Sequence, residues 1–445
     1  MERMGFSIAF TQLAATEGLD EGVKGRVLSA FFYGYALMQV PGGIISSRVG
    51  GRRVLMASFT LWGVVSGLMP SNLEGGSPWI IVACRVAIGL SQGVIVPASH
   101  TVLAGWIPVL ERGRLVSLAM SGMYLGSALS MLVVPRLVKK NGPGAEFNLA
   151  GLLALSWLML WSSMGRDPPE RAALGSNDKP VEDTPRMIEE DEVEQGGIHL
   201  IRQHSLTETQ EEKSLLMTSN DEGVTAQTGA MLTKRIPWGV MIRSSAVWAI
   251  VSNNFGFHYG TYVLMSWMPT YFQDLVGVSL HEMGPTLKAM PYVMMFLSSN
   301  VGGWLGSWLI STKSVSIQYS RKLVNTLGFL IAGASMLVMP RAKMWWEGML
   351  YATMVQSGLG LSRGGWSVNH MDIAPRHAGV LSAISNGAGT VAGVIGVALT
   401  GEILEATGGA TSSTAWTCAM AVAAGVSMTA LALFTTFARG EVLFP

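Results

Sequence analysis

The sequence predicts an all-α membrane protein of twelve helices in two six-helix halves, the first helix incomplete. Three observations carry that prediction. Hydrophobic residues make up 49% of the 445 and charged ones only 13%, where a soluble protein devotes about a quarter of its residues to charge. The charge is also concentrated: residues 166–235 hold 15 acids and 8 bases, net −7, so the rest has 14 acids and 22 bases, net +8. Finally, nearly uncharged runs recur on both sides of that insert, each close to the ~20 residues that a helix needs to cross hydrocarbon with every backbone group paired internally.

Full spans fall near 27–47, 54–72, 79–104, 114–138 and 147–165, then near 244–272, 287–311, 320–340, 346–370, 377–402 and 413–437. Met4 to Ala15 opens the chain as a shorter apolar helix, so that twelve full helices would require residues before Met1. The two blocks carry matching residues at constant offsets, as expected of repeated halves. Gly42, Gly43 and Ser47 recur 260 positions later as Gly302, Gly303 and Ser307; Gly93, Ser117 and Gly122 recur 265 positions later as Gly358, Ser382 and Gly387. The expected organisation is therefore residues 1–165, a cytoplasmic, acidic and largely disordered linker at 166–243, and residues 244–445. Glu189-Glu190-Asp191-Glu192 and the scattered Ser, Thr, Gly and Pro around it have too little apolar surface to offset chain entropy.

Bases near the spans set orientation. Even-numbered loops and the linker edges carry Arg48, Arg52, Arg53, Arg112, Arg114, Arg166, Arg171, Lys234, Arg235, Lys313, Arg321, Lys322 and Arg376. Odd-numbered loops carry fewer, chiefly Lys24, Arg26, Arg136, Lys139, Lys140, Lys288, Arg341 and Lys343, so both termini and the linker are expected on the cytoplasmic or equivalent side. Cys84 and Cys418 sit alone in apolar runs and offer neither a metal spacing nor a disulfide framework. No nucleophile–base spacing or phosphate-binding glycine loop points to an enzyme, and no cofactor or metal is expected.

An ionisable group inside a span costs roughly 2.5 to 3.5 kcal/mol on insertion scales, so each one is a functional candidate. Arg3, Arg85, His100, His258, Arg363 and His370 qualify, whereas carboxylates are nearly missing: Glu2 in the short first helix, Asp372 at a helix end and Glu402 close to one. Bases without compensating acids suit an anionic cargo, because guanidinium holds carboxylate or phosphate through two parallel hydrogen bonds. Arg85 and Arg363 alternatively pair with backbone carbonyls or reach an interface. Arg85, Gln92 and His100 are separated by seven and eight residues, about two turns each, and form one polar stripe. His258 lies in the polar, glycine-broken run Asn253 to Gly260. Tyr33, Tyr35, Gln39, Tyr124, Tyr262 and Asn386 add hydrogen-bonding groups beside small residues. Ser47 to Arg53 closes a helix with bases, as a gate-side hinge or as plain capping of the carbonyl end.

Several motifs then resemble one family. They are Phe31-Phe32-Tyr33-Gly34-Tyr35, Gln39-Val40-Pro41-Gly42-Gly43, Gly50-Gly51-Arg52-Arg53-Val54, Trp106-Ile107-Pro108, Ser121-Gly122-Met123-Tyr124-Leu125-Gly126, Trp267-Met268-Pro269-Thr270-Tyr271-Phe272 and, most specifically, Asn369-His370-Met371-Asp372-Ile373-Ala374-Pro375-Arg376 followed by Ser385-Asn386-Gly387. The chain resembles the anion–cation symporter branch of the major facilitator superfamily, and within it the plant phosphate transporters. That resemblance implies the two-halved major facilitator fold and secondary transport of an anion, inorganic phosphate or a small organic anion, by proton- or sodium-coupled alternating access.

The resemblance also assigns expected roles. Arg3, Arg85, Arg363, Tyr35, Gln39, Tyr124 and Asn386 would bind the cargo; Arg52, Arg53, Asp372 and Arg376 would gate; Gln92, His100 and His258 mark the coupling region. Four departures qualify it. Glu2-Arg3 matches an Asp-Arg pair of the family's first helix, so the chain begins midway through it. Ser91-Gln92-Gly93 replaces Gly-Glu-Gly, and an amide cannot titrate, which leaves the proton role to His100 or His258, with histidine's ordinary pKa near 6.5. Phe257 stands where glutamate carriers have arginine, and Arg363 stands where a neutral residue is usual. Expected partners are the anion, a proton or sodium ion and membrane lipid, with no nucleic acid and a monomeric assembly. The competing expectation is a transport-inactive sensor or scaffold acting through the acidic linker; the organelle is left open.

Overall fold

The computed structural model describes residues 2–19, 21–71, 77–168, 236–278, 284–313 and 315–444. Every expected span is helical. In the first half these are α1 (Glu2–Thr16), α2 (Glu21–Val49), α3 (Gly51–Gly67), α4 (Trp79–Gly93), α5 (Ile95–Trp106), α6 (Arg112–Asn141) and α7 (Gly144–Met164). In the second they are α8 (Trp238–Arg243), α9 (Ser245–Thr270), α10 (Gly284–Lys313), α11 (Ile317–Val338), α12 (Trp345–Ile373), α13 (Ala378–Ala406) and α14 (Ser413–Phe437). Among the described residues there is no strand. The described residues of 2–168 and 239–444 belong to one compact unit; the expected linker lies mostly outside the described residues.

Among the described residues, eight helical segments are long and apolar enough to cross a membrane. The sequence predicts eleven, and the three that fall short do so for distinct reasons. α3 has only 17 residues, while α9 and α12 spend their positions on polar groups that face the interior. Every residue of α12 from Ser362 to Ile373 is buried, Arg363, Asn369, His370 and Asp372 included. The 15 residues of α1 reach about 22 Å at ~1.5 Å per residue.

The span read over 79–104 is one membrane-length segment, Trp79–Trp106, interrupted for one residue at Val94: Pro97 has no N–H to give the Gly93 carbonyl and its ring crowds that carbonyl. The first part, α4, lies backbone to backbone on α2: a Cβ on Gly89 would collide with the Phe31 carbonyl oxygen, and one on Gly34 with that of Val86.

The halves meet along two seams, α2 and α5 against α13, and α6 against α10. One pair of the repeated residues, Gly43 and Gly303, falls on them. Gly43 on α2 abuts Gly379, Val380 and Ala383 of α13, while Gly303, its counterpart on α10, abuts Gly113 and Ser117 of α6. Seam-closing contacts cluster at the end that carries the even-numbered loops. There Arg114 N donates to Ser307 Oγ at 3.1 Å, and Arg112 Nη1 donates to the Met371 carbonyl at 2.9 Å. Arg112 lies 3.5 Å from Asp372 Oδ1, and Arg321 Nε donates to Asp372 Oδ2 at 2.8 Å.

Candidate functional site

Behind that closed end, the two halves enclose a cavity of ≈ 150 Å³. Helical periodicity explains who lines it. Asn254, Phe257, His258, Thr261, Tyr262 and Met265 recur every three or four residues down one face of α9, and Arg363, Trp366, Ser367 and His370 do so on α12. The first half contributes Arg3 and Met4 from α1, Tyr35 from α2, His100 from α5, and Met123, Tyr124 and Ser127 from α6; Ser382 and Asn386 come from α13. Among the described residues no Asp or Glu lines it.

Its two guanidiniums are held alike, by a phenol oxygen and by ring faces. Arg3 Nη2 donates to Tyr262 OH at 3.0 Å and stands 4.7 Å from the Phe32 ring centre. Arg363 donates to Tyr124 OH and lies over the rings of Tyr124, Phe257 and Trp366 at 5.4 to 5.6 Å. Ring faces attract a cation without neutralising it, so both bases keep their charge for a ligand. A guanidinium also has five donors in a fixed fork, and only one of them here is spent on a phenol.

Three histidines share the cavity. Nδ1 of His100 faces the Val96 carbonyl at 3.0 Å, and Nδ1 of His258 faces that of Asn254 at 3.1 Å. A carbonyl only accepts, so Nδ1 carries the hydrogen in each neutral ring and Nε2 is left as acceptor. His100 Nε2 has no partner among the described residues. His370 is spoken for on both sides, with Ser367 O at 2.8 Å from Nδ1 and Ser385 Oγ at 2.7 Å from Nε2; Ser385 Oγ also accepts from Asn254 Nδ2 at 3.1 Å. The rings of His100 and His370 meet edge to face, 5.5 Å apart.

Of the other expected cargo residues, Asn386 Nδ2 donates to Tyr35 OH at 3.0 Å and to Gln39 Oε1 at 2.9 Å, tying α13 to α2. Gln39 is not among the lining residues and positions Asn386 from behind. Tyr33 is exposed on the outer surface.

Arg85 and Gln92 lie elsewhere. They meet Glu2, while His100 lines the first cavity, so the stripe read on one span serves two places. Glu2 accepts from Arg85 on one oxygen and from Gln92 Nε2 on the other at 3.0 Å, and the Arg85 guanidinium covers the Phe6 ring at 3.8 Å. Arg85 lines a second cavity of ≈ 420 Å³ together with Arg3, Leu28, Pro269, Gln273 and Lys288, toward the odd-loop end. Close to the Glu2–Arg85 pair is Glu146 of α7, 2% exposed, a buried carboxylate that the scan for charges within spans passes over. It follows Asn141-Gly142-Pro143-Gly144-Ala145, whose polarity reads as loop.

The expected gate residues separate too. Asp372 joins the halves through Arg112, whereas Arg52 stays within the first half, its backbone N donating to Asp167 Oδ1 at 3.1 Å and its guanidinium to Ser162 O at 3.0 Å. Arg53 and Arg376 are exposed. Phe257, Tyr262, Tyr292 and Trp366 add to the aromatic lining; of these the sequence singled out Tyr262 as a polar group in an apolar run and Phe257 through the family resemblance.

Comparison with known proteins agrees with this architecture. The family profile described as Major Facilitator Superfamily matches residues 1–397. A rice protein named probable anion transporter 6 is 40% identical over all of this chain and 95% of its own length. Arabidopsis sodium-dependent phosphate transport protein 1, chloroplastic, is 31% identical over 99% of this chain and 76% of its own. Among solved structures, a proton:xylose symporter of the major facilitator superfamily bound to 6-bromo-6-deoxy-D-glucose superposes with a TM-score of 0.67 at 15% identity, covering 99% of this chain and 95% of that one.

Proposed function

The chain belongs to the major facilitator superfamily, an integral multi-pass membrane transporter rather than an enzyme, and from that premise we propose that its cargo is a small anion. Inorganic phosphate comes first and a small organic carboxylate second, moved by alternating access coupled to protons or sodium. One observation carries the reading: two guanidiniums, Arg3 from one half and Arg363 from the other, face a cavity that no Asp or Glu lines among the described residues. The relative named for phosphate transport supports the choice of phosphate.

The anion bridges Arg3 and Arg363, replacing Tyr262 and Tyr124 as their acceptors, while Tyr35 and Asn386 supply neutral hydrogen bonds. His100 and His258 present Nε2 to the cargo, so they accept its proton or take one from water and set how affinity follows pH. Gln92 does not titrate; it orients Glu2. Because the cargo bonds both halves at once, it favours states in which they are closed around it, and the Arg112–Asp372 contact opens when the halves rock the other way. Arg85, paired with Glu2, acts behind the cargo site. Residues 1–165 and 244–445 are the two moving bodies.

The test is uptake of radiolabelled phosphate by the purified chain in liposomes, with inward proton or sodium gradients. Accumulation under either gradient supports the reading and identifies the coupling ion. Folded protein that accumulates neither phosphate nor small carboxylates would overturn it.

A further inference from the structure

Resting on that reading, we propose that Glu146 is the carrier's coupling-proton site, working with Glu2 and Arg85 and apart from the cargo cavity. Glu2 is fully engaged, one oxygen with Arg85 and the other with Gln92, so the Arg85 guanidinium is already matched by one carboxylate. Glu146 is the second carboxylate, and its Oε2 is buried with no hydrogen-bond partner among the described residues. An unpaired buried carboxylate is far too costly to persist ionised, so in this conformation the group is held neutral.

A proton fits the surroundings better than a metal ion. Sodium, a hard cation, wants a shell of several oxygens, whereas the neighbours of Glu146 are the α1 backbone at Gly5, the Phe6–Phe147 ring pair and a guanidinium that repels cations. Among the described residues, the charged groups that act on it are Glu2 on α1 and Arg85 on α4. Arg85 Nε is buried and unpartnered, a spare donor toward which an ionised Glu146 would turn. When the proton leaves, Arg85 is shared between two carboxylates; when it returns, Arg85 reverts to Glu2. The ≈ 420 Å³ cavity that reaches Arg85 gives the proton a path from the odd-loop end. Arg3, next to Glu2 in the chain, lines both cavities and links the protonation state to the cargo. Gln92 removes one carboxylate from α4 and Glu146 supplies one from α7.

The test uses radiolabelled inorganic phosphate in proteoliposomes and separates exchange from accumulation. Glu146→Gln copies the protonated carboxyl in shape. It is expected to keep phosphate counterflow at the wild-type rate and to lose all accumulation driven by an inward proton gradient, while Glu146→Asp retains both. A Glu146→Gln carrier that still accumulates under a proton gradient, or that folds and loses counterflow as well, overturns the proposal. So does wild-type accumulation driven by sodium alone. Wild type without counterflow of phosphate would instead remove the functional reading, and this one with it. Should Glu146→Gln fail to fold, Glu146→Asp decides, and loss of proton-driven accumulation with exchange intact overturns the proposal.

Discussion

Replacing Arg112 with Gln tests whether the even-loop end is latched by charge. The substitution keeps a donor for the Met371 carbonyl, now 2.9 Å away, and removes the charge 3.5 Å from Asp372 Oδ1. Asp372 retains Arg321 at 2.8 Å, so no carboxylate is left unpaired and the fold should survive. The Coulomb attraction lost is about 5 kcal/mol at this distance and an effective dielectric of ~20. Desolvation of the pair offsets most of that, leaving a net of about 1 to 2 kcal/mol, or a shift of about 5- to 30-fold toward the state open at this end. Ser117 is a suitable reporter: it is 3% exposed against Gly303 in the α6–α10 seam, and its hydroxyl has no partner among the described residues. With Cys84 and Cys418 replaced by serine, Ser117→Cys should be alkylated by a water-soluble maleimide faster by that factor once Arg112→Gln is added. An unchanged rate in folded protein would mean that shape alone closes the seam.

Further outcomes follow from the cargo site and the packing. Arg3→Gln and Arg363→Gln should each weaken phosphate by roughly ten- to a hundredfold in KM, the range of a charge-assisted hydrogen bond of about 1.5 to 3 kcal/mol; concentration series of uptake check this, and an unchanged KM in either variant removes that residue from the site. The double variant His100→Gln, His258→Gln should flatten the pH dependence of KM while proton-driven accumulation persists, measured as KM across pH under a fixed gradient. Gly89→Ala drives a Cβ into the Phe31 carbonyl and should cost about 1 to 3 kcal/mol, like other overpacked sites. Its melting temperature in detergent should fall, whereas Gly425→Ala, with nothing within 4 Å of the added Cβ, should leave it unchanged.

The parts of this fold that were legible in sequence depend on one helix at a time. Apolar length marked each span, and the constant offset between Gly43 and Gly303 matched two seams that the folded chain then displayed. What escaped depends on partners far along the chain. Arg85 reads as a free buried base until Glu2, 83 positions away, is seen beside it, and Arg363 meets Tyr124 across 239 positions. Composition also misleads where polarity has two causes. α9 and α12 lose apolar character because they line the interior, while the stretch before Glu146 loses it because a loop is there, and hydropathy weighs both alike. The span over 79–104 stays one membrane-length segment, yet its polar residues part company, His100 lining the proposed cargo cavity and Arg85 and Gln92 meeting Glu2.

Placing the charges explains why the proposed cargo site lies where it does. At the even-loop end Asp372 stands between Arg112 and Arg321, and around α4 Glu2 answers Arg85, so each base there has a carboxylate in reach. Between them Arg3 and Arg363 have, among the described residues, phenol oxygens and ring faces as partners. Phenols and rings stabilise a guanidinium's geometry and leave its charge, so the empty cavity is positive and strongly disposed to take an anion. The same arrangement makes cargo and conformation interdependent. Arg3 rides on the first half and Arg363 on the second, so only a ligand that satisfies both draws the halves together, and the cavity's affinity for an anion must change as they separate.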